Sequence, residues 1–152
     1  MSVNVGDLAP EFSLSNQFGE QVSLSSLRGK PVVLVFYPFS FSGICTGELC
    51  ELRDNLSLFE DSGVELLAVS VDSKFVQAKF AEQEGYKFNL LADFWPHGEV
   101  ASKYGVLLED KGFATRATFV IDDAGVVAAK MVNGPGEARS LSEYKKALEL
   151  VL

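Results

Sequence analysis

Six consecutive apolar or aromatic residues, Val32 to Tyr37, run directly into a stretch with Leu49, Leu52, Leu56 and Phe59 at helical spacing. A run that is apolar on both faces reads as a central strand, covered by helices on each side of its sheet. The junction between this strand and the helix reads PFSFSGICTGELCELR, from Pro38 to Arg53. Cys45 falls in the first turn of the expected helix, and Cys50 follows five residues later.

The elements around this junction follow from period and punctuation. Phe12-Ser13-Leu14 and Val22-Ser23-Leu24 alternate across Asn16-Gln17-Phe18-Gly19 and predict an N-terminal hairpin. The helix is expected from about Ile44 to Glu60, and Glu65–Val71 reads as a second buried strand. Asp72 or Ser73 can cap a helix from Lys74 to about Glu84, which Gly85 can close. Phe88–Asp93 is a short strand or extended segment, residues 94–98 a loop, and Glu99–Tyr104 a short helix.

Arg116–Asp122 and Val126–Val132 form a second hairpin across Asp122-Asp123-Ala124-Gly125. Asn133-Gly134-Pro135-Gly136 then breaks the chain. Ser140-Leu141-Ser142-Glu143 is a capping box that opens a C-terminal helix with Leu141, Tyr144, Leu148 and Val151 on its apolar side. The order predicts an α/β thioredoxin-like sandwich: a central mixed sheet flanked by helices, with an N-terminal β-hairpin. At 152 residues without repeats or linkers, residues 1–152 are expected to form a single domain.

Charge narrows the partners. With 13 basic and 21 acidic residues the net charge is −8, which argues against nucleic acid. No apolar run approaches the roughly 20 residues of a membrane span, and MSVNVGDLAPEF carries no basic and apolar leader pattern. The expectation is a cytoplasmic protein without membrane association. Two cysteines in such a chain point to catalysis or redox chemistry before structural bridging.

At about 100° per residue, Leu49, Leu52, Leu56 and Phe59 lie within about 40° of Cys45, while Cys50 lies about 140° away. Cys45 therefore heads the apolar stripe, and Cys50 is turned off it. A cysteine in a first helical turn meets free N–H groups and the positive helix end, both of which favour thiolate. Full ionisation at neutral pH gains only about 2 kcal/mol, whereas enzymatic acceleration requires about 8 kcal/mol or more. Most of that must come from donors aimed at charge that develops in the transition state.

Pro38, Ser42 and Cys45 fit P-x-x-x-[T/S]-x-x-C, the signature of peroxiredoxins, and Arg116 matches the arginine that completes that family's site. The resemblance extends from VGDLAPEFSL through the C-terminal helix. It is closest to the group of bacterioferritin comigratory protein and alkyl hydroperoxide reductase E, with DFWPHG and YGV as further matching runs. It implies a thiol peroxidase acting on hydrogen peroxide, organic hydroperoxides or peroxynitrite, with no metal, haem or other cofactor.

By that resemblance Cys45 is the peroxidatic cysteine and becomes a sulfenic acid. Arg116 holds the thiolate and the polarised O–O bond, Ser42 hydrogen-bonds the peroxide, and Pro38 keeps water out. The C-x4-C spacing resembles peroxiredoxins whose resolving cysteine lies on the same helix, which assigns that role to Cys50. Residues five apart rise about 7.5 Å along a regular helix, whereas a disulfide needs Cα atoms within about 6.8 Å. A Cys45–Cys50 bridge therefore requires residues from about 43 to 52 to unwind. Thioredoxin, a glutaredoxin-like protein or a low-molecular-weight thiol would be the reductant. A homodimer packed at the active-site end would draw on Phe39, Phe41 and Trp95.

The residues taken singly also have plainer readings. Cys45 alone could be a core cysteine, Ser42 only the helix N-cap, and Arg116 a solvated strand-end charge. Glu48 reads as a solvated charge with a minor chance of proton handling. Phe94 and Trp95 read as core or interface, and His97 with the two cysteines fits no standard zinc spacing. Two functional alternatives stay open. One is a redox-sensing or chaperone-like protein that relays oxidation to a partner; the other, a thioredoxin-type disulfide reductase, is disfavoured by the absence of C-x-x-C.

Overall fold

The computed structural model describes residues 3–133 and 140–151, with the side chains of residues 44–47 outside that description. Five strands form the central sheet: β3 (Val32–Phe36), β4 (Glu65–Ser70), β5 (Asn89–Ala92), β8 (Arg116–Ile121) and β9 (Val127–Asn133), in the order β5-β4-β3-β8-β9. β3 pairs in parallel with β4, and β4 with β5, while β8 runs antiparallel to both β3 and β9. This is the mixed central sheet expected of a thioredoxin-like fold. The N-terminal strands β1 (Ser13–Ser15) and β2 (Gln21–Ser23) pair as a separate hairpin, and β6 (Leu107–Leu108) pairs with β7 (Phe113–Ala114).

The expected Ile44–Glu60 helix is two helices, α1 (Gly43–Asp54) and α2 (Leu56–Glu60), with Asn55 between them outside helical geometry at φ −119°, ψ 23°. Its side-chain amide donates back to the Glu51 carbonyl at 2.8 Å, so the side chain competes with the backbone at the break. Ser73, not Asp72, caps α3 (Lys74–Glu84), accepting from Val76 N–H at 3.3 Å, and Gly85 closes it at φ 72°. α4 spans Glu99–Lys103 and α5 spans Leu141–Leu148, the latter capped by Ser140 accepting from Glu143 N–H. The chain break read at 133–136 lies, from residue 134 on, outside the described residues.

Strand alternation divides the core into two layers. Val32, Leu34, Phe36, Ala117 and Phe119 face α4 and the N-terminal segment, where Val100, Ala101, Tyr104 and Phe12 are buried. Val33, Val35, Tyr37 and Val120 face the other way, onto Leu49 and Leu52 of α1, Phe59 of α2, Phe80 of α3 and Tyr144 of α5. Leu49 and Leu52 are 0% and 1% exposed, so α1 is pinned to the sheet by two fully buried leucines. Truncation Leu52→Ala should lower unfolding free energy by about 2–5 kcal/mol, read from urea denaturation.

Candidate functional site

The loop from Pro38 to Ser42 leaves the end of β3, and buried Pro38 follows Tyr37 directly. A polar chain holds this loop. The Ser40 N–H donates to the Asp72 carboxylate at 2.7 Å, which also accepts from Ser70 Oγ at 2.7 Å. Ser40 Oγ and the Tyr37 hydroxyl lie 3.1 Å apart, and Gln77 Nε2 donates to Ser70 Oγ at 3.0 Å. Burial pushes the Tyr37 phenol well above its usual range, so it stays a neutral hydroxyl. Asp72, which the sequence offers as a cap, thus ties the β3 loop to β4.

Phe41 has φ 70°, the one non-glycine residue with positive φ among those described. A bulky residue there stores about 1–3 kcal/mol of strain, and its ring rests on Phe80 with centroids 4.9 Å apart. Ser42 then occupies the N-cap position of α1 in extended backbone, φ −78°, ψ 144°. Cys45 is the third residue of α1, within the turn whose N–H groups have no intrahelical acceptor. Position 45 shares a helical face with positions 48, 49 and 52.

Arg116 opens β8 one residue beyond the Phe36–Ala117 pair, level with Tyr37. Alternation puts it on the α1 side of the sheet with Thr118 and Val120. It is 1% exposed, which removes the solvated strand-end reading. Its Nη1 lies 3.7 Å from Glu48 Oε1, with both side chains 1% exposed. Glu48 is therefore a buried partner of Arg116 and not a solvated charge. The helical wheel could have found it: position 48 lies about 60° from Cys45, at the edge of the leucine stripe.

Pro38, Ser42 and the backbone of Cys45 follow the end of β3, and Arg116 lies level with Tyr37 at that same end of the sheet. Cys50 stands elsewhere, half-buried on the second turn of α1, with Sγ 3.3 Å from the Tyr86 hydroxyl and 3.4 Å from Glu84 Oε1. Both cysteines belong to one continuous helix in this state.

Phe94 and Trp95 are 52% and 81% exposed, so neither is a core residue. His97 places Nε2 2.6 Å from the Gly112 carbonyl oxygen. Among the described residues no group of three or more His, Cys, Asp or Glu is arranged to hold a metal ion, and no helix is long and apolar enough to cross a membrane.

A mixed central sheet flanked by helices, in the order found here, is a thioredoxin-like α/β fold. The chain belongs to the AhpC/TSA family, whose sequence profile matches residues 5–130, and is a peroxiredoxin. It is 45% identical over 147 residues to alkyl hydroperoxide reductase E of Mycobacterium tuberculosis, covering 96% of each chain. With peroxiredoxin Bcp of Escherichia coli K12 the identity is 36% over 131 residues, 82% of this chain and 83% of that one. The crystal structure of peroxidoxin BcpB from Mycobacterium tuberculosis superposes with a TM-score of 0.81 at 33% identity, covering 97% of this chain and 96% of that one.

The buried ion pair yields a direct test. Glu48→Ala removes one charge from a pair withdrawn from water and should cost about 3–5 kcal/mol of stability. A Glu48→Met, Arg116→Met double variant should recover much of that loss, measured by urea unfolding of both single variants and the double.

Proposed function

We propose that Cys45 is the peroxidatic cysteine and Arg116 its electrostatic partner. The observation that carries this reading is the burial of Arg116, fixed by Glu48 against the helix whose first turn holds Cys45. The Cys45 thiolate attacks the terminal peroxide oxygen. An S–O bond forms, the O–O bond breaks, and the leaving group departs as water from hydrogen peroxide or an alcohol from an organic hydroperoxide, each after taking a proton, or as nitrite from peroxynitrite. Charge then spreads over both oxygens, so donors already in position lower the barrier without reorganising. Arg116 and Ser42 supply those donors, and Pro38 shields the sulfur from water.

Hydrogen peroxide, organic hydroperoxides and peroxynitrite all fit this chemistry. Cys50 resolves the sulfenic acid by forming a Cys45–Cys50 disulfide, which requires α1 to unwind locally, because the helical rise alone separates the two positions by about 7.5 Å. The reductant is thioredoxin, a glutaredoxin-like protein or a low-molecular-weight thiol. Thioredoxin is the first to try, since the chain is 36% identical over 159 residues to the thioredoxin peroxidase of Echinococcus granulosus. The protein works as one domain in the cytoplasm, as a homodimer packed at the active-site end. Support for that face comes from exposed Phe39 (41%), Phe41 (47%) and Trp95 (81%).

Mass spectrometry after one equivalent of peroxide tests the sequence of steps. Wild type should lose two hydrogens, whereas Cys50→Ser should retain a sulfenic acid. A sulfenic acid retained in both would remove Cys50 from the reaction. Cys45→Ser should abolish turnover, and Arg116→Met should lower kcat/KM by about 10²–10³. With a dithiol present, many equivalents of peroxide should be consumed; a redox relay would stop after one.

The dimer can be read from Trp95, the only tryptophan in the chain. Dilution should red-shift its emission as the ring returns to water, and sedimentation should report the matching change in mass.

A further inference from the structure

On the side of α1 away from Arg116, the second helical turn rests on the end of α3. Tyr86 is buried there, its ring 5.1 Å from both Phe80 and Phe88. Its hydroxyl lies 3.3 Å from Cys50 Sγ, and Glu84 Oε1 lies 3.4 Å from the same sulfur. Arg53, one turn further along α1, donates to the Glu84 backbone carbonyl, and its Nε pairs with Asp54 at 2.9 Å. Gly85, in the left-handed conformation at φ 72°, makes the turn that brings Glu84 and Tyr86 to the same sulfur.

The two partners act on the thiol in opposite directions. A carboxylate at hydrogen-bond distance accepts from S–H and disfavours the thiolate. A phenol hydroxyl can donate to the sulfur and favours it, and the nearby Arg53 cation adds to that side. Glu84 and Tyr86 therefore bracket the Cys50 sulfur, with Arg53 the cation facing it from α1 and Asp54 drawing on Arg53.

We propose that Glu84 and Tyr86 are positioning residues for Cys50: they hold its sulfur at the seam of α1 and α3, the carboxylate as acceptor for its proton and the phenol as a hydroxyl donor to it. The proposal rests on Cys50 as the resolving residue. In that step the Cys50 sulfur bonds to the Cys45 sulfur and the S–O bond of the sulfenic acid breaks. The thiol proton leaves with the hydroxyl as water, so Cys50 is oxidised and the Cys45 sulfur reduced. Because Cys50 is anchored through Tyr86 and Glu84, and its turn through Arg53, the first turns of α1 travel while Cys50 waits.

The test uses two conservative variants, since Tyr86→Phe keeps the stacked ring and Glu84→Gln keeps the side-chain shape. In a Cys45→Ser background, alkylation of Cys50 by iodoacetamide is followed against pH. Glu84→Gln should move the midpoint down, with alkylation about three- to tenfold faster at pH 7, and Tyr86→Phe should move it up by a similar factor. With Cys45 present, the pH dependence of conversion from sulfenic acid to disulfide should shift in the same two directions. Midpoints unmoved in both variants, or moved in the same direction, overturn the proposal. Wild-type protein that never loses two hydrogens after peroxide instead overturns the resolving role beneath it, a failure told apart because no bridge forms at all.

Discussion

A guanidinium taken out of water must be answered by charge and hydrogen bonds, because desolvation of an ion costs several kcal/mol even after relaxation. Arg116, 1% exposed at the start of β8, is answered by Glu48 on α1. That pairing constrains more than two side chains. It fixes the rotation of α1 about its own axis, since Glu48 must face the sheet together with Leu49 and Leu52. The start of the helix is thereby set against the same end of the sheet that carries the cation. The N-terminus of α1 adds its own positive end at that side of the sheet.

The loop that enters this helix is tied down by a different device. Ser40, Asp72, Ser70 and Gln77 link the end of β3 to β4 and α3 through buried and part-buried hydrogen bonds. The low local dielectric strengthens each bond that is made, while Gln77 Oε1 is left without a hydrogen-bond partner among the described residues. The network also supports the unfavourable backbone of Phe41, which would otherwise relax. Strain at the entry to α1 and firm anchoring of the loop before it coexist within two residues.

How much of this was legible in the sequence follows from the range of each interaction. Apolar period gave β3, β4, β8 and the two hairpins, because strand burial writes itself into every residue of the run. Ser140 and Gly85 were readable as caps because a cap acts within one turn. Glu48 was misread because its partner lies 68 residues away, although its place beside the leucine stripe was a usable sign. Asp72 and Ser73 both read as possible caps because Asp and Ser before a helix look alike, and only the fold shows that Ser73 caps α3 while Asp72 turns back to the loop. The division at Asn55 was missed because the leucine spacing continues across it from Leu52 to Leu56 and Phe59.

In the proposed reaction these constraints bear on one helix with two incompatible duties. Charge stabilisation demands that the first turn of α1 be fixed, since a donor displaced by an ångström loses much of its effect. A bridge within the same helix demands that this turn come apart. The proposed duties divide along the helix axis. Leu49, Leu52 and the Cys50–Tyr86 contact secure the later turns, whereas the first turn follows a strained residue and depends on its capping region and the charge beside it. In the proposed reaction, oxidation of the Cys45 thiolate to a neutral sulfenic acid removes the anion that the helix end favours. That proposed step withdraws part of what holds the first turn closed, so the proposed unwinding follows the reaction with peroxide.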